Sequence, residues 1–142
     1  MKQYKIGFIC GFFDIIHDGH INILEWAKSK CTVLIVAVGT DEFMLERKHR
    51  KPVLIYEQRR RIVEAIRYVD KVVEERNLDK LSAYKKYGFD VMFAGSDHQR
   101  EPAYIEAVIE LKKMGVETIF YERNETSSTN LRIRAAKSAG CI

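Results

Sequence analysis

The sequence predicts an α/β domain built on a parallel sheet of about five strands with helices on both faces. Three observations lead there. Apolar runs alternate with helix-spaced segments of ten or more residues along the whole chain, the pattern of successive βαβ units. The run Thr32–Gly39 (TVLIVAVG) is nearly all apolar, which suits a strand covered on both faces. Glycines stand where two helical patterns stop, as they do at helix C-termini.

Taken in order, Tyr4–Cys10 is an apolar run and the first strand. Gly19–Lys30 carries apolar residues at helical spacing. Thr32–Gly39 is the second strand. Tyr56–Tyr68 is a helix with Ile62, Val63, Ile66 and Tyr68 as candidates for its inner side. A short strand follows at Lys71–Glu74. Leu78–Tyr87 is a helix closed by Gly88, Asp90–Ala94 a strand, and Glu101–Met114 a helix closed by Gly115. Glu117–Tyr121 is the last strand and Ser128–Ala139 the last helix. Crossovers between parallel strands are right-handed. No repeat, low-complexity segment or linker divides residues 1–142, so one domain is expected.

Apolar residues make up 46% of the chain, which excludes a disordered polypeptide. No apolar run is long enough to span a bilayer, and the N-terminus lacks a signal-peptide pattern. A cytoplasmic protein with no membrane partner is expected. Cys10, Cys31 and Cys141 form no C-x-x-C pair. They suggest neither a zinc site nor a disulfide framework, and Cys10 and Cys31 read as small buried apolar residues. The net charge of +4 is concentrated in Arg47-Lys48-His49-Arg50-Lys51. One short cluster makes no continuous stripe, so nucleic acid is not an expected partner.

The stretch Gly11-Phe12-Phe13-Asp14-Ile15-Ile16-His17-Asp18-Gly19-His20 lies where the first strand gives way to the first helix. Unpaired N–H groups at a helix start attract anions. His17 and His20, three residues apart, share one side of the first turn. Gly19 between them lets a ligand approach the backbone. Two imidazoles so placed can donate to phosphate oxygens and to the charge that builds during transfer. Metal binding by His17, Asp18 and His20 is the competing reading, and it lacks the third well-spaced protein ligand that catalytic zinc usually has. No Ser–His or Cys–His nucleophile pair is visible.

Other groups carry two readings each. Arg47–Lys51 is a solvated loop or a phosphate-gripping one, since lysine and arginine both hold phosphate. Of Arg59, Arg60 and Arg61, two should face solvent. Arg67 is a helix-terminus charge or a ligand. Arg123 with Ser128 and Thr129 joins ordinary N-caps to a possible phosphate cradle, and these readings are compatible. Strand ends in a parallel sheet bring Gly11–His20, Gly95–Arg100 and Arg123–Thr129 to one edge.

The Gly11–His20 stretch resembles the signature of the nucleotidyltransferase superfamily with the HxGH motif. Three further segments resemble the glycerol-3-phosphate cytidylyltransferase family: Thr40-Asp41-Glu42-Phe43, Tyr56–Asp70 with its Ile66-Arg67-Tyr68-Val69-Asp70 end, and Arg123-x-Glu125-x-x-Ser128-Thr129. The resemblance spans about residues 4–132. It implies a Rossmann-like domain, usually a homodimer, that uses CTP and magnesium to turn a phosphorylated alcohol into a CDP-alcohol and pyrophosphate. Such products feed cell-surface polymers such as teichoic acid.

By the same resemblance His17, His20, Lys48 and Arg123 are catalytic. Phe12, Phe13, Asp14, Gly19, Asp97, Ser128 and Thr129 join Arg123 around the nucleotide. Arg50, Lys51, Arg59, Arg67 and His98 face the second substrate. The metal ligands are left open. Phe12 replaces a small or hydroxylated family residue and His98 a tryptophan. Asn124, Thr126 and Ser127 replace Thr, Gly and Ile. These departures imply retained chemistry with an altered alcohol pocket, for which glycerol-2-phosphate is a candidate beside glycerol-3-phosphate. An adenylyltransferase using ATP, and a non-catalytic nucleotide-binding module, are the alternatives.

Overall fold

The computed structural model describes residues 2–122 and 133–137. Strands β1 (Tyr4–Gly11), β2 (Cys31–Gly39), β3 (Lys71–Glu75), β4 (Val91–Gly95) and β5 (Glu117–Tyr121) form one sheet. Their order is β3-β2-β1-β4-β5, with every neighbouring pair parallel. The chain winds outward from β1 in one direction and then, from β4, in the other. That reversal leaves a crevice between the carboxyl ends of β1 and β4, where ligands of such sheets bind.

The helices are α1 (Asp18–Lys30), α2 (Asp41–Lys48), α3 (Tyr56–Glu64), α4 (Lys80–Tyr87) and α5 (Pro102–Lys113). Strand side chains alternate between two cores. Leu34, Val36 and Val38 of β2 pack on one face with Leu24 and Ala27 of α1 and Val63 of α3. Ile35 and Ala37 pack on the other with Tyr104 and Leu111 of α5, and Leu81 and Tyr84 of α4 join that cluster. β2 is therefore covered on both sides, as its unbroken apolar run predicts.

Three details differ from the sequence reading. The sequence reading assigns no element to the α2 segment, whose end falls in the Arg47–Lys51 stretch read as a loop. α2 is a helix capped by Thr40, whose hydroxyl accepts the Phe43 N–H at 3.1 Å, with Asp41 and Glu42 in its first turn and Arg47 and Lys48 in its last. Those charges complement the helix dipole. α3 stops at Glu64 rather than at Tyr68. Its last turn tightens, Ile66 N–H bonding to Val63 O and Val69 N–H to Ile66 O. Ile62, expected inside, is 38% exposed. Residues 133–137 are helical, within the expected last helix.

The 66–70 segment ends on Asp70, which fastens the amino-terminal edge of the sheet. Its N–H bonds to Leu34 O at 3.0 Å, and its carboxylate accepts the Leu34 N–H at 2.7 Å and Lys28 Nζ at 2.6 Å.

Candidate active site

A cavity of about 470 Å³ opens at the carboxyl ends of the strands, between the Gly11–Asp14 turn, α2 and the Ser96–Glu101 segment. The turn is shaped by Phe13. Its backbone takes φ 52°, left-handed for a residue with a large side chain, while its ring is buried. Such conformations persist where surroundings over-determine them. The Phe13 ring lies 5.4 Å from that of His20.

The two histidines form the N-terminus of α1. His17 is the N-cap, and its Nδ1 accepts the Gly19 N–H at 3.0 Å. Three residues on, His20 Nδ1 accepts the His17 N–H at 3.2 Å. This is a capping box made by two imidazoles in place of the usual hydroxyl and carboxylate. It settles more than helix geometry. An Nδ1 that accepts leaves a neutral ring's hydrogen on Nε2. Both rings, 4.1 Å apart, are thereby set to donate from Nε2. The capping role of the histidines escaped the sequence reading, although residues at this spacing before an apolar periodic run signal a helix start. His20 lines the cavity and His17 stands beside it. Among the described residues, no group of three or more His, Cys, Asp or Glu could hold a metal ion.

Asp14 is 3% exposed and reaches across to the segment after α2. Its two oxygens accept the Val53 and Leu54 N–H groups, each at 2.9 Å, and Arg50 Nη1 lies 3.7 Å away. Its carboxylate therefore holds the basic segment in place. Arg47, Lys48 and Arg50 line the cavity, whereas Lys51 is exposed outside its lining. Lys48 Nζ sits 5.4 Å from the centre of the Phe12 ring, and Arg47 pairs with Glu101 at 3.1 Å. The Phe12 ring covers Gly39 so closely that a Cβ there would meet it at 2.3 Å, so the end of β2 requires glycine under this aromatic roof.

Asp97 and His98 follow β4 in the short turn Ser96–His98. His98 stacks on Tyr104, with centroids 4.6 Å apart and planes at 18°. Its Nδ1 is 2.9 Å from Glu101 Oε1. An aromatic plate thus remains where the family resemblance implies tryptophan.

Besides Lys51, two more expected substrate ligands lie outside the cavity lining. Arg59 is fully buried beneath the turn rather than in the cavity. Its guanidinium donates to Leu54 O (2.8 Å), Phe12 O (2.8 Å), Gly39 O (2.6 Å) and Asp41 Oδ1 (2.5 Å). It is a positioning residue that ties β2, the turn, α2 and α3 together. Its placement could have been read from the phase of α3, because Tyr56, Arg59 and Val63 share one face at i, i+3 and i+7. Arg67 is exposed beside Tyr68, next to the segment that fastens the opposite edge of the sheet. Arg123, Ser128 and Thr129 lie outside the described residues.

The sequence reading also missed residues. Glu75 at the end of β3, Lys80 at the start of α4 and Tyr104 of α5 all line the cavity, together with Cys10. Lys80 is 4% exposed. A charged residue closing a short strand of a doubly wound sheet was the available signal, since strand ends border the ligand crevice. Cys10, expected to be an inert apolar filler, takes part in a polar network there. Burial, followed by the nearby Glu75 carboxylate, pushes its thiol up to about 11.

The comparisons with known proteins agree with this geometry. The Cytidylyltransferase-like family matches residues 8–134. A glycerol-3-phosphate cytidylyltransferase from Bacillus subtilis is 38% identical over 120 residues, covering 84% of this chain and 87% of that protein. One from Staphylococcus aureus is also 38% identical over 120 residues, covering 84% and 85%. Among solved structures, a lipopolysaccharide core biosynthesis protein from Thermoplasma volcanium superposes with a TM-score of 0.71 at 20% identity, covering 87% of this chain and 99% of that one, and so shares the fold. With a family match over most of its length and paired histidines at the switch point of its sheet, this chain belongs to the cytidylyltransferase-like family.

Proposed function

We propose that the protein transfers the cytidylyl group of CTP to a small polyol phosphate, glycerol-3-phosphate or a close relative such as glycerol-2-phosphate. The observation that carries this reading is the double-histidine cap, which leaves the hydrogens of both neutral rings on Nε2, with His20 lining a cavity that Arg47, Lys48 and Arg50 also line. An oxygen of the acceptor phosphate attacks the α-phosphorus of CTP. The new P–O bond forms as the bond to the bridging oxygen breaks, and pyrophosphate leaves with that electron pair. The acceptor is already anionic, so no general base is required. The histidines stabilise charge on the α-phosphate and the leaving group, and the cations hold the phosphates.

Magnesium belongs to this reading as an ion carried by the triphosphate. Magnesium commonly binds through one or two carboxylates, waters and substrate phosphates rather than a protein cage. That fits a site whose Asp14 oxygens are spent on backbone N–H groups and whose Glu75 is bound to Lys80. Bound there, it would neutralise charge on the departing pyrophosphate. Asp97 at the cavity wall is the carboxylate placed to share it. A homodimer is the proposed working unit.

The test is mass spectrometry of products after incubation with CTP or ATP and each glycerol phosphate isomer. A CDP-linked product formed with CTP alone is expected. An ADP-linked product made in preference to it would overturn the choice of nucleotide. A clear preference for glycerol-3-phosphate would remove the altered-pocket part.

A further inference from the structure

One wall of the cavity is not used by the reaction described above. Lys80 Nζ donates to Glu75 Oε2 at 2.5 Å and to Cys10 Sγ at 3.0 Å, and Cys10 Sγ lies 3.5 Å from the Tyr104 hydroxyl. The ammonium also lies 5.3 Å from the centre of the Tyr104 ring. The Lys80 and Glu75 side chains are 4% and 10% exposed. Burial opposes the ammonium, but its contacts with Cys10 and Glu75 outweigh that and hold its pKa above the ordinary lysine value. Burial and Cys10 likewise keep the Tyr104 phenol protonated.

The charge on this wall therefore sums to zero. Lys80 is cancelled by Glu75, and the thiol and phenol are neutral. The opposite arrangement holds on the α2 side, where Arg47, Lys48 and Arg50 add three positive charges. A cationic wall selects anions. A wall of neutral sum, dense in donors and acceptors, selects uncharged groups that can both give and take a hydrogen bond. Alcohol hydroxyls are such groups. A buried ion pair adds little to stability compared with apolar residues of similar size, so this one is weakly explained by folding alone. Both walls line one cavity. A phosphate gripped by the α2 cations would leave its carbon chain beside Glu75 and Lys80.

Resting on the function proposed above, we infer that Glu75, Lys80, Tyr104 and Cys10 form the subsite for the hydroxylated carbon chain of the acceptor. It admits neutral polyol phosphates and excludes acceptors whose organic end carries an ammonium or a carboxylate. A site built around hydroxyl recognition discriminates strongly, because an analogue lacking the hydroxyl leaves buried polar groups unpaired.

The test compares glycerol phosphate with a propanediol phosphate, one hydroxyl shorter, in wild type, Lys80→Met and Tyr104→Phe. Wild type should favour glycerol phosphate by about tenfold or more in kcat/KM, the equivalent of one well-made hydrogen bond. Lys80→Met should raise the KM for glycerol phosphate by about tenfold, leave the KM for CTP within about twofold, and erase most of the preference between the two acceptors. Lys80→Met leaves Glu75 buried and uncompensated and can fail to fold. Tyr104→Phe removes one oxygen only, and its acceptor ratio then decides the question. A structural role alone would lower turnover with both acceptors equally. The inference is overturned if that ratio is unchanged in the folded variants, or if the KM for CTP rises in step with that for the acceptor. If wild type makes no CDP-linked product with either acceptor, the underlying function fails and takes the subsite with it.

Discussion

The proposed function gives His17 two jobs for its two nitrogens, and substitution can separate them. Nδ1 caps α1 through the Gly19 N–H, which puts the hydrogen of the neutral ring on Nε2. Asparagine is a good N-cap but does not reproduce an imidazole Nε2–H. We expect His17→Asn to retain near-wild-type thermal stability while losing about 10²–10³ in turnover, the usual loss for a transition-state donor. His17→Ala should lose the same turnover and also about 1 kcal/mol of stability. Parallel thermal melts and steady-state assays check this, and full turnover in a folded His20→Ala variant would remove the proposed role from the pair. At this scale the sequence was informative about chemistry and poor about partners. The histidines, Asp14 and the basic residues were recognisable by type and position. Arg59 was not, because three consecutive arginines look alike until the buried face of the helix is known. Lys80 was missed because a lysine in a helical segment usually lies in solvent.

The strands were legible because burial on one or both faces demands long apolar runs, and β2 shows this most plainly. α2 was not legible. It has eight residues, of which Phe43 and Met44 are buried, so no apolar period can establish itself. Its helicity rests on a cap and end charges. The turn after α3 was misread for a related reason, since its i to i+3 bonds keep a helix-like apolar spacing without a helix. That turn leads to the Asp70 anchor. Burial pushes the Asp70 carboxyl up, but hydrogen bonds from Lys28 and the Leu34 N–H outweigh it, and its pKa is lowered. The unfolded chain therefore binds this proton more readily than the folded one. The anchor's contribution is fully present above the unfolded value of about 3.9 and disappears as pH falls through the lower folded value. Melting curves should show Asp70→Asn less stable than wild type at neutral pH and converging with it in acid. A constant difference across that window would contradict the assignment.

At the scale of the molecule, the strand order puts every recognised cavity group at one edge and the sheet's fastening at the other. The alternation of elements predicted this arrangement. It could not say which side of the crevice each loop would wall, because that depends on where the short α2 lies. One consequence is thermodynamic. A ligand that bridges the turn, α2 and the 96–101 segment can bind only the folded chain, and it stabilises by about 2.7 kcal/mol at a hundred times its dissociation constant. CTP with magnesium should raise the unfolding temperature more than ATP with magnesium at equal concentration. Equal shifts would argue against a preference for cytidine.

Asp14 acts as a clasp. It joins the hairpin of chain that presents the imidazoles to backbone thirty-nine and forty residues away. An amide there would set its NH₂ against one of the two N–H groups it must receive, and the clasp would half open. Trypsin, which cuts after arginine and lysine unless proline follows, should then nick Asp14→Asn after Arg50 sooner than wild type. If the proposed function holds, the same slackening should blunt the paired histidines, because Asp14 ties the turn that precedes them to the basic segment.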